Sequence, residues 1–134
     1  MSQLLHPRDW RPTKGFTNGV AAEGRQIFLA GQIGWNAHQE IVSDDFVAQV
    51  DQALRNVVAI LAEADARPEH LVRLTWFVTD KQEYRARATE IGTVYQRVIG
   101  RHYPAMTLVQ VAALLEDRAK VEIEATAVVP LSAG

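Results

Sequence analysis

The spacing of apolar positions changes period along the chain. Residues 1–14 are polar, carry two prolines and show no period, which predicts an irregular arm. Phe16 to Val20 and Gln26 to Gly31 predict two short strands around a turn at Glu23-Gly24. Phe46, Val50, Ala53, Leu54, Val57, Ile60, Leu61 and Ala64 then recur at helical spacing. Ser43 is the expected N-cap, because its hydroxyl accepts from an otherwise unpaired backbone N–H. Asp44 and Asp45 suit the positive end of the helix dipole. Arg67-Pro68 stops this helix. Leu71 to Thr79 alternates as a strand, with Val72, Leu74, Trp76 and Val78 on one face. Asp80-Lys81-Gln82-Glu83 has the pattern of a capping box and opens a second helix. Its stripe is Tyr84, Ala88, Ile91, Tyr95 and Val98, and Gly100 fits its C′ position. Ala105 to Leu115 and Ala119 to Val129 predict two final strands, linked tightly at Glu116-Asp117-Arg118.

The order β-β-α-β-α-β-β predicts an α+β fold, a single domain over residues 1–134 with two helices on one face of a mixed sheet. The other face stays uncovered. After Pro104, Met106, Leu108, Gln110 and Ala112 alternate with Thr107, Val109, Val111 and Ala113, so both faces are largely apolar. An apolar face without a helix over it needs another cover, and a second copy of the chain is the simplest. This predicts an obligate homo-oligomer with pockets between subunits. On the last strand, Val121, Ile123, Ala125 and Ala127 would face the helices. Lys120, Glu122, Glu124 and Thr126 would face the partner. A carboxylate placed there needs a partner, a ligand or water. Glu122 is therefore either half of an ion pair or a general acid/base at a subunit cleft.

Composition narrows the function classes. The 134 residues are 48% hydrophobic with a formal charge of -2. This composition excludes disorder. Acids and bases are interleaved, and no basic stripe of the kind that follows a nucleic-acid backbone is present. The absence of cysteine excludes disulfides and thiolate chemistry. His6, His38, His70 and His102 are far apart and form no HxH or HExxH pattern, so no metal is expected. No glycine-rich phosphate loop follows a strand. With no apolar run long enough to span a membrane and no signal-peptide pattern in MSQLLHPRDWRP, a cytoplasmic protein is expected.

Taken together, FLAGQIGWN, QALRNVVAILAEADA, LVRLTWFVTD, YPAMTLVQV and VEIEATAV resemble the RidA/YjgF family of small deaminases, some of which carry an endoribonuclease label. The resemblance runs from about Gly15 to Val129. It implies a chorismate-mutase-like trimeric fold, with three clefts between subunits of a homotrimer. Typical members hydrolyse reactive enamines and imines, such as 2-aminoacrylate, to ketoacids and ammonia without a cofactor. Residue by residue, Gly31 matches the glycine whose backbone approaches the ligand. Glu122 matches the glutamate that orients water or relays a proton.

The pattern departs at other positions. Pro104 and Ala105 match the family junction, but Met106 stands where an arginine grips the substrate carboxylate. Phe16 replaces a common tyrosine, Ala30 a common serine and Gly92 a common asparagine. Methionine has neither charge nor N–H donor, which leaves three readings. In the first, Arg101, Arg73 or His102 enters the cleft instead. Otherwise Arg101 is a solvated helix-end cation and His102 a surface or capping residue. In the second, the substrate is larger and less charged. Phe16, Met106 and Leu108, with Trp35 or Trp76, would then wall an apolar pocket, with Thr107 and Gly31 hydrogen-bonding the ligand. In the third, catalysis is lost and the trimer binds a metabolite or partner. Trp76 is otherwise simple core packing.

Overall fold

The computed structural model describes residues 2–131. In chain order its elements are β1 (Ser2–Leu5), β2 (Gly19–Ala22), β3 (Arg25–Ile33), α1 (Phe46–Glu63), β4 (Leu71–Val78), α2 (Lys81–Ala86), α3 (Ala88–Val98), β5 (Ala105–Gln110) and β6 (Val121–Val129). The main sheet has the order β3-β6-β4-β5. β6 lies antiparallel to both β3 and β4, whereas β5 runs parallel to β4. That parallel pair exists because α2 and α3 carry the chain back before β5 begins. The result is the expected α+β arrangement with the helices on one face. No helix among the described residues is long and apolar enough to cross a membrane.

Alternation explains which face is covered. On β6 Val121, Ile123, Ala125 and Ala127 are buried, and on β4 Leu74, Trp76 and Val78 are. They meet Phe46, Val50, Leu54, Val57 and Leu61 of α1 and Ile91, Val94 and Tyr95 of α3 in one core. α1 crosses close to the end of β3. A Cβ on Gly34 would sit 2.6 Å from the Gln49 Cα, so only glycine fits there. Gln49 is the buried polar side chain of the core. Its amide donates to the carbonyls of Ser43 (2.9 Å) and Arg118 (3.0 Å) and accepts from the Lys120 N–H (2.8 Å). It thereby ties the start of α1 to the loop entering β6.

Several boundaries differ from the sequence expectation. Within the arm expected to be irregular, Ser2–Leu5 forms β1 and pairs with β2, not with the main sheet. All four of its residues are exposed, so backbone pairing rather than an apolar period defines this strand. The α1 N-cap is Asp45, whose carboxylate accepts from the Ala48 N–H at 3.0 Å, while Ser43 accepts one step earlier from the Asp45 N–H. Asp80 caps α2 as expected, but the second helix breaks at Arg87, where φ is -114 and ψ 23. A register shift between Leu71 and Arg73 puts Leu71, not Val72, in the buried row. The last two strands are not neighbours, because β4 lies between β5 and β6. Glu116-Asp117-Arg118 is thus part of a longer crossing from Gln110 to Val121. Gly100 takes the positive φ (101°) that its C′ position requires.

Candidate functional site

The uncovered face of the sheet holds the first half of the site. β3 bulges between Leu29 and Gln32. Ala30 and Gly31 sit in this bulge, and the Ala30 carbonyl accepts from the Gln32 amide at 3.1 Å. Glu122, on neighbouring β6, lays its side chain against Gly31. A Cβ on Gly31 would come within 2.7 Å of both the Glu122 Cγ and Cδ. Real Cβ atoms do not make such contacts, so the glycine is what lets the carboxylate lie over the backbone. Glu122 is half-buried. Neither it nor the exposed Glu124 joins any ion pair among the described residues. Arg73 is also exposed on this face and does not pair with either carboxylate. Thr107, exposed on β5, lies opposite Thr75, which in turn lies opposite Glu124. It is therefore two strands from β6, roughly 10 Å at ordinary strand spacing.

Met106 belongs to the other face. It pairs with Leu74, which is fully buried toward the helices, and packs on the core. There it lines a cavity of about 400 Å³ with Trp76, Tyr84, Ile91, Gly92 and Tyr95. The arm closes one side. The Thr17 N–H donates to the Pro104 carbonyl (3.1 Å) and the Thr17 hydroxyl to the Tyr103 carbonyl (2.6 Å), which pins residue 17 beside Ala105. Gly15 is thereby drawn to the cavity rim, and Phe16 stays 40% exposed next to it.

The junction residues separate. The His102 ring Nε2 lies 2.7 Å from the Leu71 carbonyl, an acceptor, so Nε2 carries the proton. The His102 carbonyl accepts from the Tyr95 hydroxyl at 2.6 Å. His102 thus fastens the loop to β4 and α3. Arg101 is exposed just after Gly100. Burial raises the Tyr84 and Tyr95 hydroxyls above the ordinary tyrosine range, Tyr95 helped by its neighbour Tyr103. The Arg87 guanidinium holds Asp45 and Glu90 below the ordinary carboxylate range by hydrogen-bonding both, at 2.5 and 2.7 Å. Among the described residues, no three histidine, aspartate or glutamate side chains converge as a metal site requires.

The structure thus brings Glu122, Gly31 and Ala30 together, and separately Met106 with the arm that bears Phe16. Sequence reasoning did not assemble the aromatic cavity, although it had placed Tyr84, Ile91 and Tyr95 on one helical stripe. Gly92, next to Ile91 on that helix, reads from the sequence only as a lost polar group and not as an opening beside the rings.

Comparison with known proteins agrees with this geometry. Residues 8–129 match the Endoribonuclease L-PSP family. The chain is 42% identical over 106 residues to protein DfrA of Myxococcus xanthus, covering 78% of this chain and 77% of that one. It is 35% identical over 108 residues to the 2-iminobutanoate/2-iminopropanoate deaminase of Escherichia coli, covering 78% and 80%. The crystal structure of YyfB from Yersinia pestis, a protein of unknown function of the conserved Rid family, superimposes with a TM-score of 0.85. The two are 32% identical, and the match covers 96% of this chain and 98% of that one. The chain therefore belongs to the Endoribonuclease L-PSP family, the RidA/YjgF group, and has its chorismate-mutase-like α+β fold.

Proposed function

We propose that the protein hydrolyses an enamine or imine to a carbonyl compound and ammonia, without a cofactor, in clefts between the three copies of a homotrimer. The observation that carries this reading is the Glu122 carboxylate held over Gly31, half-buried and free of ion pairs among the described residues. An ion pair within the chain would have explained it structurally. A carboxylate beside an open backbone is instead suited to hold water and move a proton. Relatives named as iminobutanoate/iminopropanoate deaminases support the reaction type. The two acids of this face, the half-buried Glu122 and the exposed Glu124, disfavour a phosphate backbone as ligand.

Glu122 and Met106 lie on opposite faces of one sheet, so a cleft that uses both takes them from two chains. The uncovered face supports such pairing. Phe28 is 72% exposed there, and Val109 is exposed on β5. In the cleft, Glu122 accepts a proton from water as its oxygen attacks the imine carbon. Starting from the protonated imine, this gives a neutral carbinolamine. Glu122 then returns the proton to nitrogen. As the C–N bond breaks and ammonia leaves, the hydroxyl proton passes to the freed carboxylate and the oxygen becomes the carbonyl. The Gly31 backbone holds the ligand beside Glu122, Ala30 leaves room there, and Met106 and Phe16 of the other chain form an apolar wall. Thr107, two strands from β6 and on the opposite face from Met106, lies outside this cleft.

Met106 sets the substrate class. Losing a forked contact to a buried carboxylate costs roughly 2–5 kcal/mol, or about 30- to 4,000-fold in affinity. The preferred substrate is therefore not a small 2-imino acid. The test is ammonia release from 2-aminoacrylate generated in situ. The wild type should be nearly inert, Met106→Arg active, and Met106→Arg combined with Glu122→Ala inert again. Brisk wild-type activity would refute the reading of Met106. Inert Met106→Arg would favour a non-catalytic metabolite-binding trimer on the same fold.

A further inference from the structure

Three observations converge on the cavity behind Met106. The first is an unpaired donor. Trp76 is 2% exposed, lines the cavity, and its indole Nε1 has no hydrogen-bond partner among the described residues. Its edge-to-face contact with Tyr84, 6.2 Å between ring centroids, supplies no oxygen or nitrogen acceptor. A buried N–H without an acceptor is costly and uncommon. The second is Gly92. It sits inside α3, where glycine is the poorest residue after proline. A Cβ there would meet nothing within 4 Å, and its φ is not positive. Neither backbone nor packing within the chain calls for glycine, but any side chain would project into the space over the cavity. The third is the lining. Tyr95 and Tyr103 stack at 5.4 Å and 13°. Their hydroxyls are engaged elsewhere, Tyr95 with the His102 carbonyl and Tyr103 with the Gln96 amide. The cavity thus presents mainly rings and the Met106 thioether, surfaces that fit a flat apolar group, with Lys14 and Gln96 also in its lining.

We propose that this cavity is a binding subsite for an aromatic ring bearing a hydrogen-bond acceptor, with the Trp76 indole N–H as its donor and Gly92 as the residue that keeps it open. This deepens the deaminase reading and rests on it for the chemistry alone. The substrate would be an aromatic enamine or imine whose ring occupies the cavity, with the reacting carbon at its Met106 end.

The test is a titration of the assembled, ¹⁵N-labelled protein with 4-hydroxyacetophenone, reading the indole N–H signals of Trp10, Trp35 and Trp76. The expected result is a saturable downfield shift of the Trp76 signal alone, with pyruvate causing none. Gly92→Leu, which fills the space while improving the helix, should weaken binding at least tenfold. Gly92→Ala should bind more tightly than Gly92→Leu, and Trp76→Phe should weaken binding by about tenfold at most. An unmoved Trp76 signal, or unchanged affinity in Gly92→Leu, would overturn the proposal. The first of these results would mean that a neighbouring subunit already fills the cavity. The titration reads binding only. Intact binding without hydrolysis of aromatic imines would support the subsite and count against the deaminase reading. Hydrolysis without binding would do the reverse.

Discussion

Gly31→Ala separates the chemistry of the site from the stability of the fold. The backbone accepts alanine, since Gly31 does not take a positive φ. The new methyl group would fall within 2.7 Å of the Glu122 Cγ and Cδ. The carboxylate side chain is free of ion pairs, so it swings aside. Leaving its preferred rotamer costs about 0.5–1.5 kcal/mol. Removing a glycine from a strand returns about 0.5–1 kcal/mol. The net change in stability is therefore within about 1 kcal/mol. The chemistry responds differently, because a displacement of about 1 Å in a positioned group costs on the order of 10²-fold in rate. In the Met106→Arg background, ammonia release from 2-aminoacrylate should fall at least that far while the thermal midpoint barely moves. Unchanged turnover would refute the role given to Glu122. A large loss of stability would show that the carboxylate is held too firmly to move.

Other substitutions probe the supports of the site. Gln49→Leu leaves the Lys120 N–H and the Ser43 and Arg118 carbonyls without their partner. It should destabilise the chain by roughly 2–4 kcal/mol in urea unfolding, at the scale of one buried unsatisfied donor plus lost hydrogen bonds. His102→Ala removes the bond to the Leu71 carbonyl and should cost about 1–2 kcal/mol. It should leave the pH profile of turnover in place, whereas a vanished limb would make the ring an acid or base in the reaction. Asp45 has its folded-state pKa depressed below 3.8 by Arg87. Its contribution is thus present above pH 3.8 and is lost as pH falls through the lower folded value. Asp45→Asn, which keeps the cap, should reduce the fall of the thermal midpoint as the pH drops below 3.8, and an unchanged acid limb would contradict this. The effect is small, because both partners are partly open to solvent, Asp45 to 46%.

Much of the fold was legible because burial is written in the period. Val121, Ile123, Ala125 and Ala127 announce the face of β6, and the α1 stripe announces its core contacts. That helices cover only one face of the sheet was legible for the same reason. Order within the sheet was not, since nothing in the period of β5 and β6 says that β4 lies between them. Nor was β1, whose exposed residues carry no burial signal. At the site, Glu122 and Gly31 were legible by resemblance, but their contact arises from the β3 bulge, a backbone feature that alternation alone does not reveal. By resemblance Met106 reads as a lost charge. Its side of the sheet became clear only through its pairing with Leu74, and with it the cavity that Gly92 leaves open.

The cleft between copies is tested most directly by mixing two chains. Wild type keeps Glu122 but lacks the carboxylate clamp. The double variant Met106→Arg, Glu122→Ala has the clamp but lacks the carboxylate. Each alone should release almost no ammonia from 2-aminoacrylate. Refolded together, they should form mixed assemblies in which Arg from one chain faces Glu122 of another, and ammonia release should appear. If the mixture stays inert while homogeneous Met106→Arg is active, both groups act within one chain, and the composite cleft is wrong.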